Sequence, residues 1–203
     1  MSDLYSLLRP WTMVPEVQFR ENLRLAETVR EVPGNVTEAG TWKGGMLAAL
    51  AARTGRRAVG LDGFRGLPPA GDVDGPAARA WQANVAGPDY HNNCRASRRD
   101  VEEALERAAV ADYAVAEGWV EHTLPRLEVE PIAILRIDVD WYEATLLCLN
   151  ILYPRVVPGG LVILDDYAAW DGCALAVHRF LDGRAERLMM DERWVAHFYR
   201  RKD

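Results

Sequence analysis

Three aspartates follow two strongly apolar segments of the chain. Asp138 lies near the end of the run 131–140 (PIAILRIDVD), and Asp165 and Asp166 follow the run 161–164. Continuous apolar runs of this kind predict strands buried on both faces, and neighbouring strands lie about 4.8 Å apart. At least two of the carboxylates would then reach one divalent ion, and all-oxygen ligands suit Mg²⁺, Ca²⁺ or Mn²⁺. We expect a metal site here, with ion pairs to Arg136 or Arg155 as the alternative.

A metal at this position suggests a definite chemistry. The ion would orient a substrate hydroxyl and lower its pKa, and a nearby carboxylate would accept the proton. The oxygen would then attack an electrophilic carbon held in line, with much of the rate coming from positioning.

A glycine-containing turn and a nearby acid form a second group of candidate site residues. The segment Glu38–Gly45 (EAGTWKGG) lies between a predicted strand and a predicted helix, and Asp62 ends the next strand. Glycines let the backbone approach a ligand closely, and Asp62 is placed to accept from the two hydroxyls of a ribose. The turn departs from the dinucleotide fingerprint. Glu38, Gly40 and Asp62 therefore favour a nucleoside with an amino-acid tail, such as S-adenosylmethionine, over a solvated strand-to-helix turn.

Apolar runs alternate with amphipathic segments along the chain. Strands are predicted at 35–40, 57–61, 113–116, 131–140 and 161–164, and helices at 16–31, 41–53, 98–109, 141–153 and 173–182. This alternation predicts an α/β fold with a mostly parallel sheet and helices on both faces. Two strand-like pieces, 186–190 and 194–200, predict an antiparallel C-terminal edge hairpin. Ligands of such sheets bind beyond the carboxyl ends of the strands, where these acids lie.

Length and composition exclude several classes. The 203 residues carry 24 basic and 30 acidic side chains, a formal net charge of −6, and this argues against a nucleic-acid partner. The sequence has no apolar run of membrane-spanning length and no signal-peptide pattern. Its three cysteines lack metal-ligand spacing. We expect one cytoplasmic domain over 1–203, with a helical cap at 1–31 and a core at 32–203.

Several motifs of this sequence resemble the macrocin O-methyltransferase family of S-adenosylmethionine-dependent sugar methyltransferases. The matching stretches are 9–14 (RPWTMV), 33–45 (PGNVTEAGTWKGG), 61–68 (LDGFRGLP), 117–119 (EGW), 123–125 (TLP), 135–145 (LRIDVDWYEAT), 153–154 (YP), 158–160 (PGG) and 165–167 (DDY). The stretches around Asp138 and Asp165 are the most specific, and the resemblance extends from about residue 9 to the C-terminus.

This resemblance implies a Rossmann-like class I methyltransferase fold and Mg²⁺-dependent methylation of a sugar hydroxyl. It makes Asp138, Asp165 and Asp166 the metal ligands, with Asp138 also the general base. The residues that it assigns to S-adenosylmethionine are Thr12, Met13, Glu38, Ala39, Gly40, Gly44, Asp62, Gly118, Trp119 and Asp138. Among these, Thr12 and Met13 would fold over the cofactor, and Gly118 and Trp119 would border the adenine.

The remaining expectations concern the acceptor. We expect a small sugar-containing acceptor of antibiotic biosynthesis, no membrane partner, and assembly into a homo-oligomer as an open question. The loop at 70–97 is expected to shape acceptor specificity. Trp11, Trp42, Trp119 and Trp141 are expected beside the site, and Trp81, Trp170 and Trp194 in the core. Two alternatives stand beside this interpretation: a catechol or phenol O-methyltransferase, and a non-catalytic domain that binds the cofactor.

Overall fold

A six-stranded sheet runs through the protein. The computed structural model describes residues 3–128, 130–190 and 192–202, and within them the strand order is β3-β2-β1-β4-β5-β6. The strands are β1 (Asn35–Ala39), β2 (Ala58–Asp62), β3 (Tyr113–Glu117), β4 (Ile132–Ile137), β5 (Val156–Leu164) and β6 (Ala196–Tyr199). β1 to β5 are parallel and β6 is antiparallel to β5, so the predicted mostly parallel sheet is confirmed.

The direction of winding reverses between β1 and β4. From β1 the chain proceeds outward through β2 to β3, whereas β4, β5 and β6 extend from the other side of β1. A crevice opens at the carboxyl ends of the strands at such a reversal, and ligands of open α/β sheets bind there. Glu38 of β1 is paired in register with Arg136 of β4, so both lie at this crevice.

Helices cover both faces of the sheet. They are α1 (Leu4–Leu8), α2 (Glu16–Glu27), α3 (Gly45–Thr54), α4 (Gly75–Ala83), α5 (His91–Cys94), α6 (Arg98–Arg107), α7 (Val120–Thr123), α8 (Tyr142–Leu152) and α9 (Asp171–Leu181). One apolar cluster joins the sheet to α1, α2, α3 and α6, and a second joins it to α7, α8 and α9. None of the helices in the described ranges combines the length and hydrophobicity needed to cross a bilayer.

The N-terminal segment is part of the core. Leu8 of α1 and Phe19 and Leu25 of α2 are almost completely buried in the first apolar cluster. α2 ends at Glu27, four residues earlier than predicted, and turns follow to residue 32. α6 begins with a capping box: Ser97 is the N-cap, and its amide donates a hydrogen bond to Asp100 at 2.8 Å.

The edge hairpin and the start of β5 differ from expectation. The antiparallel edge is present, but of its two predicted arms only β6 is a strand. The first arm contributes an isolated bridge between Met189 and His197, and Met189 and Met190 remain about two-fifths exposed, so little apolar surface stabilises a longer arm. β5 begins at Val156, five residues before the predicted strand at 161–164, and its register with β4 shifts along this added segment.

Left-handed glycines allow a matched test of the turn after β1. Gly40 has φ +81°, and a Cβ there would lie 1.7 Å from the carbonyl oxygen of Asp138, whereas Gly55 has φ +67° and nothing within 4 Å. Gly55→Ala should lower the free energy of unfolding by about 1–2 kcal/mol, the left-handed strain alone. Gly40→Ala adds a backbone clash and should cost about 3 kcal/mol or more. Urea denaturation measures both, and equal losses would contradict this account of the turn.

Candidate active site

A cavity of about 530 Å³ lies at the carboxyl ends of β1, β2, β4 and β5. Its size is typical of a small-molecule site. Glu38 and Arg136 form part of its floor, Thr12 and Met13 approach from the N-terminal segment, and Trp81 comes from α4. The cavity therefore joins parts of the chain that are far apart in sequence.

Arg136 is the centre of the floor. Its guanidinium is completely buried and donates to carboxylates that follow three adjacent strands: Glu38 of β1, Asp138 after β4 at 2.7 Å, and Asp165 after β5. Glu38 lies directly opposite Arg136 in the parallel register, and Asp138 follows two residues later on the same side of its strand. Ion pairs with Arg136 were the expected alternative to a metal site. Two of the three predicted metal ligands, Asp138 and Asp165, form such ion pairs.

A second group of three carboxylates, which shares Asp138 with the first, lies beside Arg136. One oxygen each of Asp138, Asp140 and Asp166 lies within 4.8 Å of the others; we call these three residues the acid cluster. Asp140 has φ +61°, so the chain turns back after β4 and the Asp140 amide donates to Asp166 at 2.9 Å. The indole N–H of Trp170 donates to the Asp140 carboxylate at 2.9 Å.

The acid cluster strongly favours added protons or cations. Burial, reinforced by the charges of neighbouring acids, raises the pKa of Asp138 to about 6 and the pKa of Asp140 to about 8. The same causes raise the pKa of Asp166 well above its ordinary value. Over the whole cavity lining of the described chain, eight carboxyl groups face one guanidinium. The cavity is therefore suited to positively charged ligands, and oxygen donors at this spacing could hold a divalent ion.

The β1 side of the cavity offers a different set of groups. Oε1 of Glu38 accepts from Arg136, but within the described residues the buried Oε2 has no hydrogen-bond partner. Burial raises the pKa of Glu38 to about 8. Asp62 accepts from the amides of Trp42 at 2.7 Å and Phe64 at 2.6 Å, so its carboxylate is held at the edge of the cavity. Burial raises the pKa of Asp62.

The cavity brings together most of the residues singled out in the sequence. Those in its lining are Thr12, Met13, Glu38, Gly40, Asp62, Trp119, Asp138, Asp165 and Asp166. Ala39, Gly44 and Gly118 lie outside it. Ala39 is buried in β1 and accepts from the Asp138 amide at 2.9 Å, Gly44 is the left-handed N-cap of α3, and the Gly118 amide donates to the Asp62 carbonyl at 2.9 Å. These three residues do not line the cavity, but they belong to the backbone that holds the lining residues in place.

The structure arranges the predicted metal ligands differently from expectation. Asp138 and Asp166 belong to the acid cluster, whereas Asp165 is paired with Arg136 and its place is taken by Asp140. The D-x-D spacing of Asp138 and Asp140 was the available signal for this residue. Trp81 and Trp170, which were expected in the core, line the cavity, while Trp141 is buried behind them. Trp194, also expected in the core, is 61% exposed.

The raised carboxyl pKa values predict a stability that falls as the pH rises. Aspartate in an unfolded chain titrates near pH 4, so between about pH 4 and 8 the folded protein binds more protons and its free energy of unfolding decreases. The stabilisation by these carboxyl groups is complete below about pH 4. It is lost as the pH rises through their pKa values in the folded protein, about 6 and about 8. MgCl₂ should therefore raise Tm more at pH 8.5 than at pH 5.5, as measured by differential scanning fluorimetry.

Two variants control for nonspecific salt effects. Asp138→Asn removes one acid of the cluster and should reduce both the pH dependence and the gain from Mg²⁺. Asp182→Asn alters an exposed carboxylate at the end of α9 and should behave like the wild type. A gain in Tm that is the same at both pH values would contradict a cation at the acid cluster.

Comparison with known proteins agrees with this geometry. The macrocin-O-methyltransferase (TylF) family profile matches residues 9–201. The 8-demethyl-8-(2,3-dimethoxy-alpha-L-rhamnosyl)-tetracenomycin-C 4'-O-methyltransferase of Streptomyces olivaceus is 37% identical over 158 residues, 73% of this chain and 58% of that protein. The mycinamicin III 3''-O-methyltransferase of Micromonospora griseorubida is 34% identical over 161 residues, 74% and 61% of the two chains. The chain thus spans about three-fifths of the length of these curated relatives.

Solved structures show the same relationship. The O-methyltransferase NovP superposes with a TM-score of 0.79 at 26% identity, covering 95% of this chain and 83% of its own. CalS11, a calicheamicin methyltransferase, superposes with a TM-score of 0.69 at 26% identity, covering 97% and 89%. With the fold, the acids at the sheet edge and the match over almost the whole sequence, the chain belongs to the macrocin O-methyltransferase family.

Proposed function

We propose that this protein transfers the methyl group of S-adenosylmethionine to a sugar hydroxyl in antibiotic biosynthesis, with Mg²⁺ as cofactor. The observation that carries the proposal is the acid cluster of Asp138, Asp140 and Asp166 beside the crevice between β1 and β4. A domain that only binds a nucleoside has no need of clustered, mutually repelling carboxylates, whereas deprotonating a hydroxyl requires such groups.

The β1 side of the cavity fits the cofactor. The unpartnered Oε2 of Glu38 is a buried acceptor, suited to the ammonium group of the methionine end. Gly40 permits close backbone approach, Asp62 offers a carboxylate to the ribose hydroxyls, and Trp119 supplies an aromatic surface for the adenine. Thr12 and Met13 cover this part of the cavity from the N-terminal segment. The excess of carboxylates also favours the positive sulfonium of the methyl donor.

The acid cluster fits the metal. We propose Asp138 and Asp166 as ligands, since they belong both to the sequence expectation and to the cluster of the structure; Asp165 as a direct ligand stays a prediction. When bound, Mg²⁺ would lower the pKa of a hydroxyl and relieve the repulsion among the acids. Arg136 holds Asp138 at 2.7 Å and Asp165 by a second contact, so the chain itself fixes where these carboxylates point.

Asp140 is the group we propose to accept the proton of the acceptor hydroxyl. One of its oxygens lies within 4.8 Å of those of the proposed ligands Asp138 and Asp166, so it is within reach of a hydroxyl held beside them. Among the described residues its carboxylate accepts one hydrogen bond, from Trp170, whereas Asp138 is occupied by Arg136. The role of Asp138 as the base, expected from the sequence, remains a prediction that the same variants test.

The names of relatives suggest which acceptors to test. One curated relative is named for a rhamnosyl-tetracenomycin, and CalS11 is named as a TDP-rhamnose 3'-O-methyltransferase. A suitable assay measures release of S-adenosylhomocysteine with TDP-rhamnose, methyl α-L-rhamnopyranoside and catechol, each with Mg²⁺ or EDTA. We expect Mg²⁺-dependent turnover with a sugar. Turnover with catechol alone would favour the phenol alternative, and tight cofactor binding without turnover would favour a binding domain.

Asparagine variants of the acids should separate catalysis from cofactor binding. Asp138→Asn and Asp140→Asn should each lower kcat by about 100-fold or more, the usual contribution of a positioned acid or base. The dissociation constant of S-adenosylhomocysteine, measured by calorimetry, should change less than about threefold in the Asp140 variant, because Asp140 lies on the acceptor side. Asp182→Asn is the matched control and should retain wild-type kcat.

The same variants distinguish a ligand from a base. Calorimetric Mg²⁺ titration of the cofactor complex should lose its binding signal in Asp138→Asn and keep it in Asp140→Asn. Wild-type kcat in Asp140→Asn would refute its assignment as the base, and unchanged Mg²⁺ binding in Asp138→Asn would refute its assignment as a ligand.

A further inference from the structure

Three tryptophans form a corner at the acceptor side of the cavity. The ring centroids of Trp81 and Trp170 lie 5.9 Å apart, those of Trp141 and Trp170 5.5 Å, and those of Trp81 and Trp141 6.4 Å, with interplanar angles of 60° to 72°. Trp81 and Trp170 line the cavity, and Trp141 is buried behind them. We call the two lining rings, Trp81 and Trp170, the tryptophan corner.

The protein already satisfies the polar atoms of these rings. The indole N–H of Trp81 donates to the Asp89 carbonyl at 3.2 Å, that of Trp141 to the Pro68 carbonyl at 3.0 Å, and that of Trp170 to Asp140 at 2.9 Å. The corner therefore offers a ligand ring surface rather than hydrogen bonds. Because the indole of Trp170 donates a hydrogen bond to Asp140, this apolar surface lies next to the acid cluster.

A buried carboxylate anchors the segment that carries Trp81. Asp74, just before α4, is only 4% exposed. Its Oδ1 accepts from the Tyr142 amide at the start of α8 at 2.8 Å, and its Oδ2 from the Gly71 amide at 2.7 Å. A Cβ at Gly172 of α9 would lie 2.4 Å from Asp74 Oδ1, so the packing there is tight. α4 is thus fixed to the helix that follows the acid cluster.

We propose, on the basis of the proposed function, that Trp81 and Trp170 bind the acceptor and that Trp81 sets its affinity. The two ring faces are inclined at about 60° to each other. They can therefore contact two sides of a non-planar ring, such as a pyranose, through its C–H groups. A hydroxyl pressed against either face would lack a partner and would be disfavoured. The acceptor therefore turns its apolar C–H surface to the corner and its reactive hydroxyl to Asp138 and Asp140.

Paired variants of Trp81 test this inference. Trp81→Leu keeps apolar volume but removes the ring face, and should raise the acceptor KM by about tenfold. Trp81→Phe keeps a ring and should stay within about threefold of the wild type. Both should leave kcat and the dissociation constant of S-adenosylhomocysteine within about twofold. Trp194→Leu, at an exposed tryptophan outside this cavity, is the matched control and should change none of these values.

The outcomes are distinguishable. Thermal melting shows whether each variant folds, and saturation-transfer NMR with methyl α-L-rhamnopyranoside and protein saturated with S-adenosylhomocysteine measures acceptor binding without turnover. Wild-type KM and NMR signal in Trp81→Leu would overturn this inference alone, as would a KM increase of equal size in the Phe variant. If the wild-type enzyme neither methylates nor binds any sugar, the proposed function fails and the inference fails with it.

Discussion

A single buried guanidinium organises the candidate active site. Arg136 is completely buried in β4 and contacts Glu38, Asp138 and Asp165, which belong to three neighbouring strand ends. A buried charge without partners is strongly unfavourable, so the three carboxylates must converge on it. Their convergence leaves one oxygen of Glu38 unpaired on the cofactor side and turns Asp138 toward Asp140 and Asp166 on the other. The same cation therefore shapes both halves of the cavity.

The position of this charge follows from the topology of the sheet. Parallel strands bring their carboxyl ends to one edge, and the reversal of winding between β1 and β4 opens a crevice there. For this reason the sequence predicted much of the site: Glu38, Asp62, Asp138, Asp165 and Asp166 each lie at or near the end of an apolar run, and all line the cavity. The role of Arg136 was harder to predict, because its partners on β1 and β5 lie 98 and 29 residues away.

The acceptor side was less accessible to sequence analysis for a similar reason. Asp140 joins the acid cluster because of a left-handed backbone turn and a hydrogen bond to Asp166, neither of which is encoded by local periodicity. Trp81 and Trp170 resemble ordinary core residues in the sequence. Trp81 reaches the cavity because Asp74 ties the long β2–α6 connection to the start of α8, 68 residues further along the chain, and Trp170 is held there by its hydrogen bond to Asp140. Long-range polar contacts thus decide which aromatic rings meet the acceptor.

Diffraction from crystals grown with S-adenosylhomocysteine and Mn²⁺ would test the central claim most directly. Mn²⁺ replaces Mg²⁺ at oxygen-rich sites and is located by its anomalous scattering. We expect one manganese ion bound to Asp138 and Asp166, with Arg136 still paired to Glu38 and Asp165 and the cofactor along β1. S-adenosylhomocysteine bound in the cavity with no manganese at these carboxylates, at saturating Mn²⁺, would contradict it.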